Sequence, residues 1–150
     1  MSDFPSEFGQ NASGSVGLSF IRVYNLWHKQ VKEALRGIGL THPQYVVLAS
    51  LGYLAQSGDE VSQVDIARNF DIDVMTVSTI LRNLERDGLV TRRTSSDDQR
   101  AKTVQMTASG RSSLKRALPL VEGIDADFFG LLGTDESAFN SMLLRLAGIC

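Results

Sequence analysis

Arg100 and Lys102 sit two residues apart in the stretch SSDDQRAKTVQMT (95–107), next to Asp97 and Asp98. A guanidinium can fork two N–H donors onto a phosphate or a base edge, and an ammonium acts as a compact point charge, so the pair suits a polyanion. Little else in the chain offers chemistry. His28 and His42 are the only histidines, and no phosphate loop, nucleophile elbow or metal-spaced carboxylate set accompanies them. The single cysteine, Cys150, excludes an internal disulfide or a cysteine-built metal site. It reads as a small apolar residue at a helix end, with an intersubunit disulfide or redox sensor as the alternative. Neither an enzyme nor a cofactor or metal is expected.

The net charge of −2 over 150 residues runs against a nucleic-acid partner until the charges are located. Between Val61 and Arg116 there are ten basic and seven acidic residues, a balance of +3; the remainder holds five and ten, a balance of −5. The middle is basic and the ends are acidic. A hydrophobic content of 43% and a charged content of 21% suit one globular domain spanning 1–150, its residues 1–16 flexible. No membrane span or secretory leader is expected, and the reading is cytoplasmic.

The elements that must position Arg100 and Lys102 are mostly helical. Phe20, Tyr24, Trp27, Val31, Ala34 and Ile38 step by three and four, a heptad-like seam on a helix over about 17–38. THPQ then predicts a capping box, with Thr41 as N-cap, Pro43 in the first turn and Gln44 reaching back. The helix that follows, PQYVVLASLGYLAQ, is apolar nearly all round, so burial is expected. Two short helices come next, QVDIARNF capped by Ser62 with Asp65, and VMTVSTILRNLERDG capped by Asp73, at helix-turn-helix spacing. On the second, Val77, Ile80, Leu81 and Leu84 make an inward stripe, while Met75, Thr79, Arg82 and Arg86 fall opposite, flanked by Thr76 and Ser78. LVTRRT and KTVQMT read as strands of a hairpin. Helix then resumes, kinked by Pro119 near Leu118, and a last helix opened by Thr134 carries the stripe Phe139, Met142, Leu143, Leu146 and Ile149.

This order resembles the multiple antibiotic resistance regulator (MarR) family of winged-helix transcription factors over about 20–149. The most specific element is DQRAKTVQMT, in which Asp98-x-Arg100 is followed, after five residues, by an apolar residue and Thr107; LERDGLVTRR and GLTHPQYVVLASL support it. Met106 stands where leucine is usual in the family, and the first helix lacks the cysteine of the organic-hydroperoxide-sensing branch. The resemblance implies a mainly α fold with a small β-hairpin wing: a winged helix-turn-helix over 41–107, with dimerisation helices over 17–40 and 108–150.

It also implies roles. The helix with Met75, Thr76, Ser78, Thr79 and Arg82 outward would enter the major groove of double-stranded DNA. Arg100, oriented by Asp98, would enter the minor groove, and Lys102 would contact phosphate. Arg92 and Arg93 are either further backbone contacts or ordinary strand polarity. The terminal seams, represented by Phe20, Tyr24, Phe139, Leu143 and Leu146, exceed what one 150-residue monomer can bury, so a homodimer is expected to present two reading heads to a palindrome. Some family members bind aromatic acids or phenols between the dimerisation helices and the reading head. Tyr24, Trp27, His28, His42 and Tyr45 are the candidate lining here, with core packing as the alternative. The expected function is a ligand-responsive repressor; the competing class is a protein-interaction module that keeps the fold without reading DNA.

Overall fold

The structure, a computed structural model, describes residues 4–94 and 102–149. Helix α1 (Val16–Arg36) starts where the Ser15 hydroxyl accepts from the Leu18 amide, and it stops before Gly39, which adopts a φ of +76°. Helix α2 (His42–Leu54) has both halves of the Thr41–Gln44 capping box and buries Val47, Leu48 and Leu51. A short strand β1 (Val61–Ser62) leads into α3 (Gln63–Asn69), closed by a second capping box from Ser62 and Asp65. After Asp71, at a φ of +53°, Asp73 caps α4 (Val74–Arg86).

Strands β2 (Val90–Thr94) and β3 (Lys102–Met106) pair antiparallel from Val90 opposite Met106 to Thr94 opposite Lys102. Strand β1 adds itself to the other edge of β3, with Val61 opposite Val104, in the sheet order β1-β3-β2. Local sequence pattern does not predict the strand at Val61. Two residues are too few to show an alternation, and the pairing partner is more than forty residues away.

Helix α5 (Ala108–Phe129) is capped by Thr107 and stays helical on both sides of Pro119. The expectation for the last helix is corrected. A 3-10 segment (Gly130–Asp135) intervenes, in which Gly133 takes a φ of +57°, and α6 (Glu136–Leu146) begins after Asp135 rather than at a Thr134 cap. The non-helical turn at Gly133 removes Thr134 from the position a capping hydroxyl needs.

The core unites Val31 and Leu35 of α1, α2, the inner stripe Val77, Leu81 and Leu84 of α4, Val90 and Val104 of the sheet, and Leu114, Ala117 and Val121 of α5. These residues tie α4 and the sheet to the base of the long helices. Two corners are locked together at one point: the Thr107 amide donates to the Leu89 carbonyl at 3.0 Å, and the Thr107 hydroxyl to the Gly88 carbonyl at 2.7 Å. Gly110 lets α5 come this close, since a Cβ there would lie 2.7 Å from Met106 Cγ and collide with the Leu89 carbonyl. By contrast, α6 buries nothing, and α1 buries nothing before Val31.

Candidate nucleic-acid interface

Helix α4 shows one apolar and one polar face because its apolar residues recur at helical spacing. Val77, Leu81 and Leu84 are fully buried, Ile80 is half-buried, and Met75 is 78% exposed, with Thr76, Thr79 and Arg82 exposed beside it. At the N-terminus the Asp73 carboxylate accepts from the Thr76 amide at 2.9 Å and also from the Thr76 hydroxyl. These hydrogen bonds, side chain first, hold the Asp73 carboxyl below its ordinary range. Asp73 is thereby occupied in capping. The Thr79 hydroxyl donates to the Met75 carbonyl at 3.1 Å, while Arg82 has no ion pair among the described residues.

Arg92 stands apart from the expected outward set. Its side chain is 11% exposed, with one Nη on Glu85 at 3.3 Å and the other donating to Gln63 Oε1 at 2.9 Å and to the Ser78 hydroxyl at 3.4 Å. The Arg92 amide also donates to Glu85, at 3.2 Å. Arg92 therefore fastens β2 to α4 and to the start of α3, and it braces the angle between α4 and the hairpin. Gln63 and Glu85 are the positioning residues that sequence reasoning missed. Nothing in a linear pattern marks a contact made 29 residues away.

Arg93 is exposed and paired with Glu60 at 3.3 Å. Lys102 lies exposed at the start of β3, opposite Thr94. Asp98 and Arg100 lie outside the described residues, as does Cys150.

The five aromatic and histidine candidates form one cluster where α1 meets α2. Tyr24 stacks on His28 at 5.2 Å, His28 stacks on His42 at 4.8 Å, Trp27 meets His42 edge-on at 5.2 Å, and Tyr45 lies 6.5 Å from His42. Trp27 Nε1 donates to Asp125 of α5 at 2.7 Å. Burial pushes the Tyr45 phenol up to about 12, with Asp125 adding to the effect. A cavity of about 470 Å³ opens beside the cluster, between Lys32 and Arg36 on α1 and Leu40, Thr41 and Pro43 ahead of and within α2, with both histidines in its wall. Tyr24, Trp27 and Tyr45 do not line it.

The two imidazoles touch through Nδ1 atoms 2.7 Å apart, a contact in which one nitrogen donates and the other must accept. A second proton would break it. Burial first, then the nearby His28, lower the His42 pKa from 6.5, with Asp125 opposing. The unfolded chain thus takes up a proton on His42 that the folded chain resists, and stability contributed by this group is lost as pH falls below about 6.5. Melting temperature is expected to drop between about pH 7.5 and about pH 5.5, and His42→Gln to flatten that drop. Equal pH slopes in the variant and the parent protein would assign the effect to other groups.

The expected dimer residues are solvent-facing in the single chain: Phe20 is 58% and Leu146 84% exposed, Tyr24 and Leu143 are partly so, and Phe139 stacks on Phe129 at 6.2 Å. No helix among the described residues is long and apolar enough to cross a membrane.

Comparison with known proteins agrees with this geometry. Residues 40–102, which run from the turn before α2 to the start of β3, match the MarR family. The uncharacterized HTH-type transcriptional regulator YdcH of Bacillus subtilis is 36% identical over 116 residues, 77% of this chain and 79% of that protein. The HTH-type transcriptional repressor Rv2887 of Mycobacterium tuberculosis is 31% identical over 132 residues, 87% of this chain and 92% of that protein. Its crystal structure in complex with DNA aligns at 30% identity with a TM-score of 0.65 over 87% of this chain and 96% of that one. CouR of Rhodococcus jostii, crystallised bound to p-coumaroyl-CoA, aligns at 27% identity with a TM-score of 0.77 over 92% and 93%. With relatives 36% and 31% identical along most of their length, and a family match across its middle, this chain, with its capped helix beside an antiparallel hairpin, belongs to the MarR family of transcriptional regulators.

Proposed function

We propose that the protein is a homodimeric repressor that reads an inverted-repeat operator through α4 and the hairpin, and that a small anionic effector releases it. The observation that carries the DNA reading is the division of labour on α4: Asp73 and Ser78 are engaged within the protein, while Met75, Thr79 and Arg82 face solvent. Hydroxyls and a guanidinium on an exposed helix face are the groups that read base edges in a major groove. The DNA complex of the relative Rv2887 supports the same reading. Selection of binding sites from random duplexes at physiological salt tests it. An enriched inverted repeat is expected, and failure to enrich any sequence would favour the protein-interaction module.

Arg100 and Asp98 belong to this reading as a minor-groove contact and its orienting carboxylate. Arg100→Ala is expected to cost roughly 1–3 kcal/mol per contact, and most at operators whose flanks are A·T-rich. A uniform loss over A·T-rich and G·C-rich flanks would make Arg100 an electrostatic clamp instead.

The effector cavity is the one beside His28 and His42. Lys32 and Arg36 have no ion pairs among the described residues, so the wall favours an anion, and the p-coumaroyl-CoA complex of CouR supports an aromatic or acyl chemistry for the effector. Such a ligand lowers DNA affinity only by binding the DNA-free conformation better, and operator must then weaken ligand binding by the same factor.

A further inference from the structure

A larger cavity than the one beside the histidines lies elsewhere, and the proposed DNA reading makes no use of it. It encloses about 720 Å³ between the C-terminal half of α2, strand β3 with the turn before β1, and the first half of α5. It shares no residue with the cavity beside the histidines. The two sit toward opposite ends of α2, whose thirteen residues span about 20 Å.

Its floor is apolar and belongs to the core. Leu51, Val61, Val104 and Leu114 are each nearly buried, and their outer edges face the cavity. Gly52 keeps that floor low. It lies inside a helix and, unlike the turn glycines, takes no positive φ, so its backbone could accept any residue. A Cβ there would stand 3.0 Å from Leu114 Cδ2. Glycine within a helix costs about 1 kcal/mol relative to alanine, and the return here is space between α2 and α5.

The rim is charged unevenly. On the α5 side Arg111 and Lys115 stand four residues apart on one helix face. Arg111 is anchored by one Nη to the Met106 carbonyl at 3.0 Å, and Lys115 has neither an ion pair nor a hydrogen bond among the described residues. On the opposite side Glu60 is matched by Arg93 at 3.3 Å, which leaves Asp59. An apolar floor with two cations on one rim and one carboxylate on the other selects a molecule with an apolar body and a single anionic end. A second anionic group would face Asp59. The volume falls within the range of small-molecule sites, which are mostly apolar clefts with a few placed polar groups.

We propose that this cavity is a binding site for an amphipathic organic monoanion, its carboxylate or sulfonate on Lys115 and Arg111 and its apolar body on Leu51, Val104 and Leu114. The ligand would bridge α5 to β3, the central strand of the sheet that carries the hairpin. The site is separate from the effector cavity proposed above and does not depend on DNA binding.

The test uses 1-anilinonaphthalene-8-sulfonate, a fluorescent amphipathic monoanion, with the full chain and without DNA. Saturable binding at this cavity is expected to shift the NMR amide signals of Gly52, Gln105 and Lys115, whatever the probe does at the effector cavity. Lys115→Glu turns an attraction into a repulsion and is expected to weaken the binding reported by these amides about tenfold, while Lys32→Glu at the other cavity leaves the titration of these amides unchanged. Ala55→Phe, which fills the mouth, is expected to abolish these shifts; because Lys115 is exposed, Lys115→Glu keeps the test decisive even if Ala55→Phe misfolds. Absence of binding, saturation that leaves those amides unshifted, or equal weakening by Lys32→Glu and Lys115→Glu overturns the proposal.

Discussion

Replacing both Leu143 and Leu146 with glutamate is expected to yield monomers that bind the operator about a thousandfold more weakly or worse, down to the level of non-specific DNA. The reason lies in what α6 leaves uncovered. It has eleven residues and buries none of them, and Leu146 at its C-terminal end is 84% exposed. The first four turns of α1 are in the same condition, with Phe20, Ile21 and Leu26 all exposed. Fully burying a leucine stabilises by roughly 1.5–3 kcal/mol, so two per protomer across a two-fold interface amount to roughly 6–12 kcal/mol before ordering costs. That gross figure is comparable to the whole free energy of a micromolar to nanomolar dimer, about 8–12 kcal/mol. Glutamate removes the gain and adds carboxylates that dimerisation would have to desolvate. A monomer keeps an intact reading head, because the core that supports α4 draws nothing from α6. Its melting transition should therefore survive while the second half-site contact disappears. Sedimentation at micromolar concentration, paired with operator titration, reads both effects. Parent protein that sediments as a monomer would remove the basis of the expectation.

The parts of this fold that were legible in the sequence are those written within four residues. Thr41 with Gln44, Ser62 with Asp65, and Asp73 ahead of α4 each form the predicted cap, because a capping hydrogen bond needs only local chain geometry. The inward stripe of α4 was legible for the same reason. The parts hidden from sequence depend on distant partners. β1 exists only because Val61 finds Val104, and Arg92 turns inward only because Gln63 and Glu85 are waiting there. The histidines are an intermediate case. Their residue types and neighbourhood were visible, whereas the Nδ1 contact between α1 and α2 follows from the angle at which those helices meet. Thr134 shows the opposite failure, a residue with the right chemistry for a cap placed after a glycine that turns the chain away from helix.

The same contrast between local and distant separates the cations that are free to meet DNA in the proposed complex from those held within the protein. Arg82 projects from the outer face of α4 and has no ion pair among the described residues, while the neighbouring Arg86 leans on Asp87 at 3.4 Å and Arg92 is fastened inward. A guanidinium on the reading helix can fork onto guanine O6 and N7, a contact worth roughly 1–3 kcal/mol of discrimination. A two-fold dimer makes it twice, so Arg82→Ala is expected to lose roughly 2–6 kcal/mol on the selected operator. The loss should be far smaller on a duplex whose contacted base pair is changed, because that duplex never made the contact. Lys102→Ala should behave differently. Lys102 sits at the start of β3, opposite Thr94 at the end of β2. In the proposed DNA complex an ammonium there would serve as a point charge for phosphate, whatever the sequence beneath. Its removal should weaken all duplexes alike and reduce the slope of log affinity against log salt by about 1 per contact, about 2 in the dimer. The two variants are distinguished by titrating both against matched and mismatched duplexes at two salt concentrations. If Arg82→Ala weakens matched and mismatched duplexes equally and lowers the salt slope as Lys102→Ala does, Arg82 is a phosphate contact, and base reading by α4 rests on Met75, Thr76 and Thr79 alone.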